Sequence, residues 1–191
     1  PDAIREPMIN EAIDYIRREL RDYLGVDDTE VIIDNAHVLK DAANSKGAYI
    51  SIVNVKEETA LKNGEHYVRE NNQVRYKEPP VYLNLYLLLS FEFDDYGQSL
   101  LRLSQAVELF QSKRVFSAEN DTPANQFPAT LEKLVFDFVN LNFEELNHLW
   151  GVLGGAYYPS VLYKVRLVKV QRDVTAPAPE IGKIQLVASV Q

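Results

Sequence analysis

The chain has 191 residues, 46% of them hydrophobic, enough for one large domain or two small ones with a sizeable core. It has no cysteine, which excludes disulfides, thiol chemistry and thiolate zinc sites. The net charge is −8 and no basic stripe is visible, so we expect no nucleic-acid partner. No signal peptide or membrane-spanning run is recognisable, and we therefore expect synthesis in the cytoplasm and no membrane partner.

The first predicted element is a helix with an apolar stripe at three- and four-residue steps. Pro7 suits its first turn and Gly25 its end. The stripe consists of Ile9, Ala12, Ile13, Ile16, Leu20, Tyr23 and Leu24. This pattern predicts a helix that lies on a sheet.

Two strands are predicted next, over residues 30–39 and 48–61. The segment HYVRENNQVRYK (66–77) then places short β-rich pieces on either side of a turn-like centre. We interpret it as a polar β-ribbon or a mobile loop. Either form is compatible with a partner-binding element or with a surface segment that has no binding role.

VYLNLYLLLSFEF (81–93) gives the clearest strand. Its odd-numbered residues, from Val81 to Phe93, are all apolar, whereas Tyr82, Asn84 and Tyr86 begin the other face. Because a slip of one residue would expose the whole apolar face, the register is strongly specified. We predict a long central strand.

The remaining elements are a helix over 94–112, a surface loop over 117–130, strands over 134–139 and 159–171, and a tail. The helix would be capped by Asp94 or Asp95. Its buried stripe would consist of Tyr96, Leu100, Leu103, Val107 and Phe110. A flexible Pro/Ala hinge near 175–180 separates a domain, residues 1–172, from a C-terminal tail, residues 173–191, with a possible β arm. This order predicts an α+β fold, a mostly antiparallel sheet flanked by helices.

FEELNHLWGVLGG (143–155) is open to two interpretations. Glu144 and Glu145 share a helix face with His148, as in carboxylate-bridged metal sites and acid/base pairs. Alternatively, Asn142 caps the helix in a capping box with Glu145, and Gly154 or Gly155 ends it. In that case Phe143, Leu146, Leu149, Trp150 and Leu153 form its apolar face. The capped helix accounts for more of the residues.

No other catalytic or ligand-binding motif is present. The chain lacks a phosphate-binding glycine loop, a dinucleotide fingerprint and a nucleophile elbow. We therefore expect no cofactor and no small-molecule substrate.

Three stretches together resemble a known family: PPVYLNLYLLLSFEF, FEELNHLWGVLGG and PSVLYKVRLV. The chain is similar, over nearly all of residues 8–170, to the tail-terminator or cap proteins of extracellular contractile injection systems. These are phage-tail-like particles typified by the antifeeding prophage and the Photorhabdus virulence cassette. The ribbon, the 117–130 loop and the tail depart from the pattern.

The resemblance implies a structural protein, not an enzyme, with the fold of phage tail terminators. It implies a homo-oligomeric ring, a hexamer, that closes the distal end of tube and sheath and stops their polymerisation. Its partners would be other copies and the terminal sheath and inner-tube subunits, in a particle that can leave the cell. Candidate interface residues are Tyr82, Tyr86, Tyr157, Tyr158, Ile184 and Leu186. The tyrosines could equally pack within the chain. The alternative functions are a metal-dependent enzyme using Glu144, Glu145 and His148, or an adaptor for another partner.

Overall fold

Helices, strands and connections are described here for residues 8–41, 46–58, 67–70, 73–77, 81–170 and 175–177 of a computed structural model. Within these ranges the helices are α1 (Met8–Leu24), α2 (Tyr96–Ser112) and α3 (Phe143–Val152), with 3-10 turns at Asp28–Glu30 and Ala36–Asp41. The strands are β1 (Val31–Ile33), β2 (Gly47–Glu57), β3 (Tyr67–Glu70), β4 (Gln73–Lys77), β5 (Val81–Glu92), β6 (Val115–Phe116), β7 (Leu134–Val139), β8 (Ser160–Val170) and β9 (Thr175–Pro177).

The strands form two sheets. The larger has the order β1-β2-β5-β8-β7-β6, and the smaller has the order β3-β4-β9. Only β1 and β2 run parallel, and the other pairs are antiparallel. The predicted α+β class is confirmed, with the refinement that the main sheet is mixed.

Strand β5 lies in the middle of the main sheet, as its alternation predicts. Leu85, Leu87, Leu89 and Phe91 are buried in the core cluster that includes residues of α1 and α2. Leu88, on the opposite face, is also buried and belongs to a second cluster with Trp150 of α3. The sheet is therefore covered on both faces over this part of β5, and α3 lies on the side opposite α1 and α2.

Helix α1 has the predicted ends, but its buried stripe differs at two tyrosines. Tyr23, predicted to be inward, is 40% exposed, whereas Tyr15 is fully buried. The reason is the 117–130 loop, which packs against α1: the rings of Tyr15 and Phe127 lie 5.0 Å apart. The prediction of a simple surface loop is therefore wrong at Asn125 and Phe127, which are both buried.

Helix α2 begins at the predicted cap, because the Asp95 side chain accepts a hydrogen bond from the Gln98 N–H. Its predicted stripe is wrong in the first turns, where Tyr96 and Leu100 are exposed and Ser99 is buried. The Ser99 hydroxyl accepts from the Phe93 N–H at 3.0 Å. A polar residue faces inward here because it satisfies the backbone, which a hydrophobic period does not reveal.

The predicted strand over 30–39 is wrong beyond Ile33, because the chain leaves the sheet edge and turns into the 3-10 segment Ala36–Asp41. Part of the predicted Pro/Ala hinge near 175–180 pairs with another strand. Its residues Thr175–Pro177 form β9, which pairs with β4 of the ribbon. The ribbon itself is confirmed as the antiparallel pair β3 and β4.

An ionic cluster fastens the start of β1 to α1. The Asp28 carboxylate accepts from Arg17 at 2.6 Å and from Arg21 at 2.7 Å. Hydrogen bonds from Arg17 and then Arg21 hold the pKa of Asp28 below its usual value.

Candidate interface surfaces

Helix α3 is held in place by its own ends. The Asn142 side chain accepts from the Glu145 N–H at 2.9 Å, and the Glu145 carboxylate accepts from the Asn142 N–H at 2.9 Å. At the other end Gly154 and Gly155 adopt positive φ, and the Gly155 N–H donates to the Trp150 carbonyl. The predicted capping box is confirmed, and the helix is a firm platform for the side chains it carries.

The proposed metal ligands on α3 face solvent. Glu144, Glu145 and His148 are all exposed, and Glu145 is occupied by the cap. Within the described ranges, no three His, Asp or Glu side chains lie close enough together to hold a metal ion. The two glutamates lie in the first turn of α3, where the helix dipole favours negative charge. This arrangement gives no support to a ligand cluster.

The two tyrosines after α3 have different environments. Tyr158 donates its hydroxyl to the Leu39 carbonyl at 2.8 Å, and burial raises its pKa. Tyr157 is 59% exposed, with its ring edge-on to Trp150 at 5.9 Å. Tyr158 thus belongs to the fold, whereas the Tyr157 ring lies largely at the surface.

A shallow aromatic surface surrounds Tyr157. A cleft of about 250 Å³ is lined by Phe143, Leu146, Asn147, Trp150, Gly151, Gly155 and Tyr157, and we call this surface the α3 patch. Phe143 was predicted to lie on the buried face of α3, but it is 92% exposed. The reason is its place in the first helical turn, directly after the cap. The position directly after the N-cap residue Asn142 is the sequence feature that distinguishes Phe143 from the buried residues of the helix.

Tyr82 and Tyr86 lie half-buried on the second face of β5. The Tyr86 ring packs against the Trp150 cluster, and the Lys56 ammonium lies 5.3 Å from its centroid. These contacts occupy much of the Tyr86 ring within the chain. The other predicted interface residues, Ile184 and Leu186, lie outside the described residues.

Of the four predicted interface residues that the structure describes, Tyr86 and Tyr158 pack against the Trp150 cluster of the chain itself. Tyr157 is the exposed member, and the structure adds Phe143 beside it. Aromatic side chains that are exposed on a fixed element are typical anchors of protein interfaces. Among the helices of the described part of the chain, none is both long and apolar enough to cross a membrane.

Comparison with known proteins gives one family and two similar structures. The model of the Pvc16 N-terminal domain matches residues 11–182. The sheath/tube terminator of PVC, an extracellular contractile injection system, in its extended state is similar with a TM-score of 0.66 and 18% identity, over 96% of this chain and 65% of that one. The tube-terminating cap of the anti-feeding prophage is similar with a TM-score of 0.63 and 14% identity, over 93% and 60%.

At these identities the two structures show a shared fold, and this chain spans less than two thirds of the length of either. No curated protein matches the sequence.

Proposed function

The chain belongs to the family of the Pvc16 N-terminal domain, and we propose from this that it is a tail terminator of a contractile injection system. It closes the distal end of the inner tube and sheath and stops their polymerisation. It acts as a homo-oligomeric ring, a hexamer, that binds the last sheath and tube subunits. The role is structural and includes no catalytic step, cofactor, nucleic acid or membrane.

The family match carries this proposal, because it runs through 11–182 and includes every element of the main sheet. The similarity to two terminator structures supports it, since their fold extends over more than nine tenths of this chain. We assign the capping role to residues 1–172 and an arm to residues 173–191. After synthesis in the cytoplasm, the protein becomes part of the particle.

A terminator must bind a growing end through one surface and offer no equivalent surface for the next subunit. The α3 patch suits the first task. Its helix is fixed by the capping box and the glycine turn, so Phe143 is presented with little conformational freedom left to lose in the backbone. Tyr157, after the glycine turn, lies with its ring edge-on to Trp150 of that helix. Two exposed rings over a cleft provide apolar area that a sheath or tube subunit can bury.

Purified sheath and tube subunits test this assignment in a pull-down against the chain and two variants. Phe143→Asp removes the exposed ring of the patch, and we expect a loss of about 2 kcal/mol, about 30-fold in Kd. Val152→Asp is the matched control, because Val152 is 85% exposed on the same helix but does not line the cleft. Equal thermal unfolding midpoints would show that both variants fold.

The assignment predicts that the Phe143 variant loses a sheath or tube partner that the Val152 variant retains. Equal binding by both variants would remove the α3 patch from the interface. Failure of the wild-type chain to retain any sheath or tube subunit, with another protein retained instead, would favour an adaptor.

A further inference from the structure

Helix α2 carries an apolar stripe that its own chain covers only in part. The stripe runs at three- and four-residue steps and consists of Tyr96, Leu100, Leu103, Val107 and Phe110. Phe110 is buried and Leu103 and Val107 are half-buried, whereas Tyr96 is 65% exposed and Leu100 is 40% exposed. The first half of this α2 stripe therefore presents apolar surface to solvent.

The second half of α2 borders an aromatic groove of about 410 Å³, which we call the β7 groove. It is lined by Val107, Phe110, Gln111, Arg114, Phe136, Asp137, Phe138 and Tyr163. Phe110 and Phe136 are buried at its floor and stack at 4.3 Å, and Phe138 leaves 52% of its surface exposed. Because Val107 belongs to both the stripe and the groove, the two form one surface that follows α2 for about 25 Å.

Negative charge lies at the first end of this surface. Asp94 and Asp95 directly precede α2, and Asp95 is its N-cap. Lys46 pairs with Asp94, and the Asp94 side chain is 86% exposed in that pair. Two carboxylates against one ammonium leave this end with an excess of one negative charge.

Positive charge lies at the other end. Arg114 follows α2 and donates to the Asp137 carboxylate at 2.9 Å, but Arg166 pairs with that same carboxylate. Lys113 is paired with Glu19 at 3.0 Å. Two guanidinium groups against one carboxylate leave the rim of the β7 groove with an excess of one positive charge.

We infer that α2 pairs with the α2 of a second copy of this chain, antiparallel and about a two-fold axis. In this arrangement Tyr96 and Leu100 of each copy lie over the β7 groove of the other, so both exposed apolar surfaces are covered at once. The acidic end of each helix then meets the basic end of its partner, at both ends of the contact. Such an isologous contact is the commonest type between identical chains.

The surface favours a second copy as its occupant because it is complementary to itself in only one direction. A parallel pairing would place Asp94 against Asp94 and Arg114 against Arg114, and like charges across an interface are costly. The antiparallel pairing joins opposite charges twice. A contact along one helix lies at the small end of specific interfaces, so we expect a weak pair with a Kd of about 10–100 μM.

The pair is independent of the terminator role. The α3 patch lies on the opposite side of the main sheet from α2 and remains free. A two-fold contact joins two copies and does not close a six-membered ring, so the proposed ring uses a different surface.

Cross-linking through a single introduced cysteine tests the pair, because the chain has no native cysteine. Ser104 lies near the midpoint between Tyr96 and Gln111, so the two copies of residue 104 lie beside the two-fold axis. Full-length Ser104→Cys protein is treated with a short bismaleimide at about 100 μM, near the expected Kd.

Ser112→Cys is the matched control. Both serines are exposed on α2, and each donates its hydroxyl to a backbone carbonyl of the preceding turn. In the antiparallel pair, however, the two copies of residue 112 lie about 25 Å apart along the helices. We expect about ten-fold more cross-linked dimer from Ser104→Cys than from Ser112→Cys, because only residue 104 has a high effective concentration of its own copy.

Two additions to the Ser104→Cys chain locate the contact. Leu100→Asp places a charge in the stripe and should lower the yield to the control level. Leu101→Asp should leave the yield unchanged, because Leu101 is also exposed but lies about 100° further round the helix.

A charge exchange tests the direction of the pair by sedimentation equilibrium. Asp94→Lys and Arg114→Glu each give the two ends the same sign, so each alone should raise the Kd of the dimer about five-fold. The double variant makes the ends opposite again and should recover a Kd close to that of the wild type.

Equal yields from Ser104→Cys and Ser112→Cys would overturn the inference, and this comparison requires no destabilising change. So would a double charge variant that binds no more tightly than the single ones, or a wild-type chain that is monomeric at about 1 mM. None of these results would touch the terminator role, which the sheath and tube pull-down tests separately.

Discussion

The buried side chain of Asn125 joins the 117–130 loop to α1 and offers a sharp test of the packing. Its Nδ2 donates to the Tyr15 carbonyl at 3.3 Å and to the Glu19 carboxylate at 2.8 Å, and only 2% of the residue is exposed. Lys113 pairs with the same carboxylate at 3.0 Å. These polar contacts join the loop to α1 beside the packing of Phe127 against Tyr15.

Asn125→Ala removes both donated hydrogen bonds and leaves two acceptors short of a partner. We expect the free energy of unfolding to fall by about 2 kcal/mol. Asn125→Asp removes the same bonds and also places a second carboxylate about 3 Å from Glu19. Two like charges at that distance repel by about 5 kcal/mol at an effective dielectric constant of about 20. Lys113 offsets part of this, so the Asp variant should lose at least about 2 kcal/mol more than the Ala variant at pH 7.

The extra loss should depend on pH. The neighbouring Glu19 raises the pKa of the introduced carboxyl in the folded state, so its cost is present above that pKa and disappears as the pH falls and the group binds a proton. Urea unfolding at several values between pH 7 and pH 4 measures both variants. We expect their stabilities to converge towards pH 4. A constant difference, or equal stabilities at pH 7, would refute the contact between Asn125 and Glu19.

Two further predictions concern the β1 end of the sheet. A Cβ on Gly47 would lie 2.4 Å from the Glu30 carbonyl oxygen, so Gly47→Ala should lower the free energy of unfolding by about 1–3 kcal/mol in a urea titration. Gly151→Ala is the control: Gly151 has open space around it, so this change should be neutral or slightly stabilising. Hydrogen bonds from its arginine partners lower the pKa of Asp28, so its contribution to stability is present above about pH 4 and lost as the pH falls through the lowered value. Asp28→Asn should therefore lower the Tm at pH 7, with the gap to wild type closing in acid; a constant gap would contradict the pairing.

The sequence was most informative where one face or one cap decides the local structure. The alternation of β5 predicted its register and its central position, because slipping by one residue would expose an entire apolar face. Asn142 and Glu145 predicted the start of α3 for an equally local reason, since both hydrogen bonds form within one turn. The α+β class followed from the order of such elements.

The predictions from sequence fail where segments that are far apart in the chain come into contact. Tyr15 is buried because Phe127, more than a hundred residues later, covers it, and no period within α1 contains that information. Thr175–Pro177 looked like a hinge by composition, but a partner strand, β4, is present. Contacts of this kind are tertiary, and they also determine the candidate interfaces.

The length of the particles produced without this protein tests the capping role most directly. Electron microscopy would compare tails from a strain lacking the gene with tails from the same strain carrying a plasmid copy. The proposal predicts tubes and sheaths of variable length with open distal ends in the deletion strain, and uniform closed tails on complementation. Tails of normal length with normally closed ends in the deletion strain would contradict it.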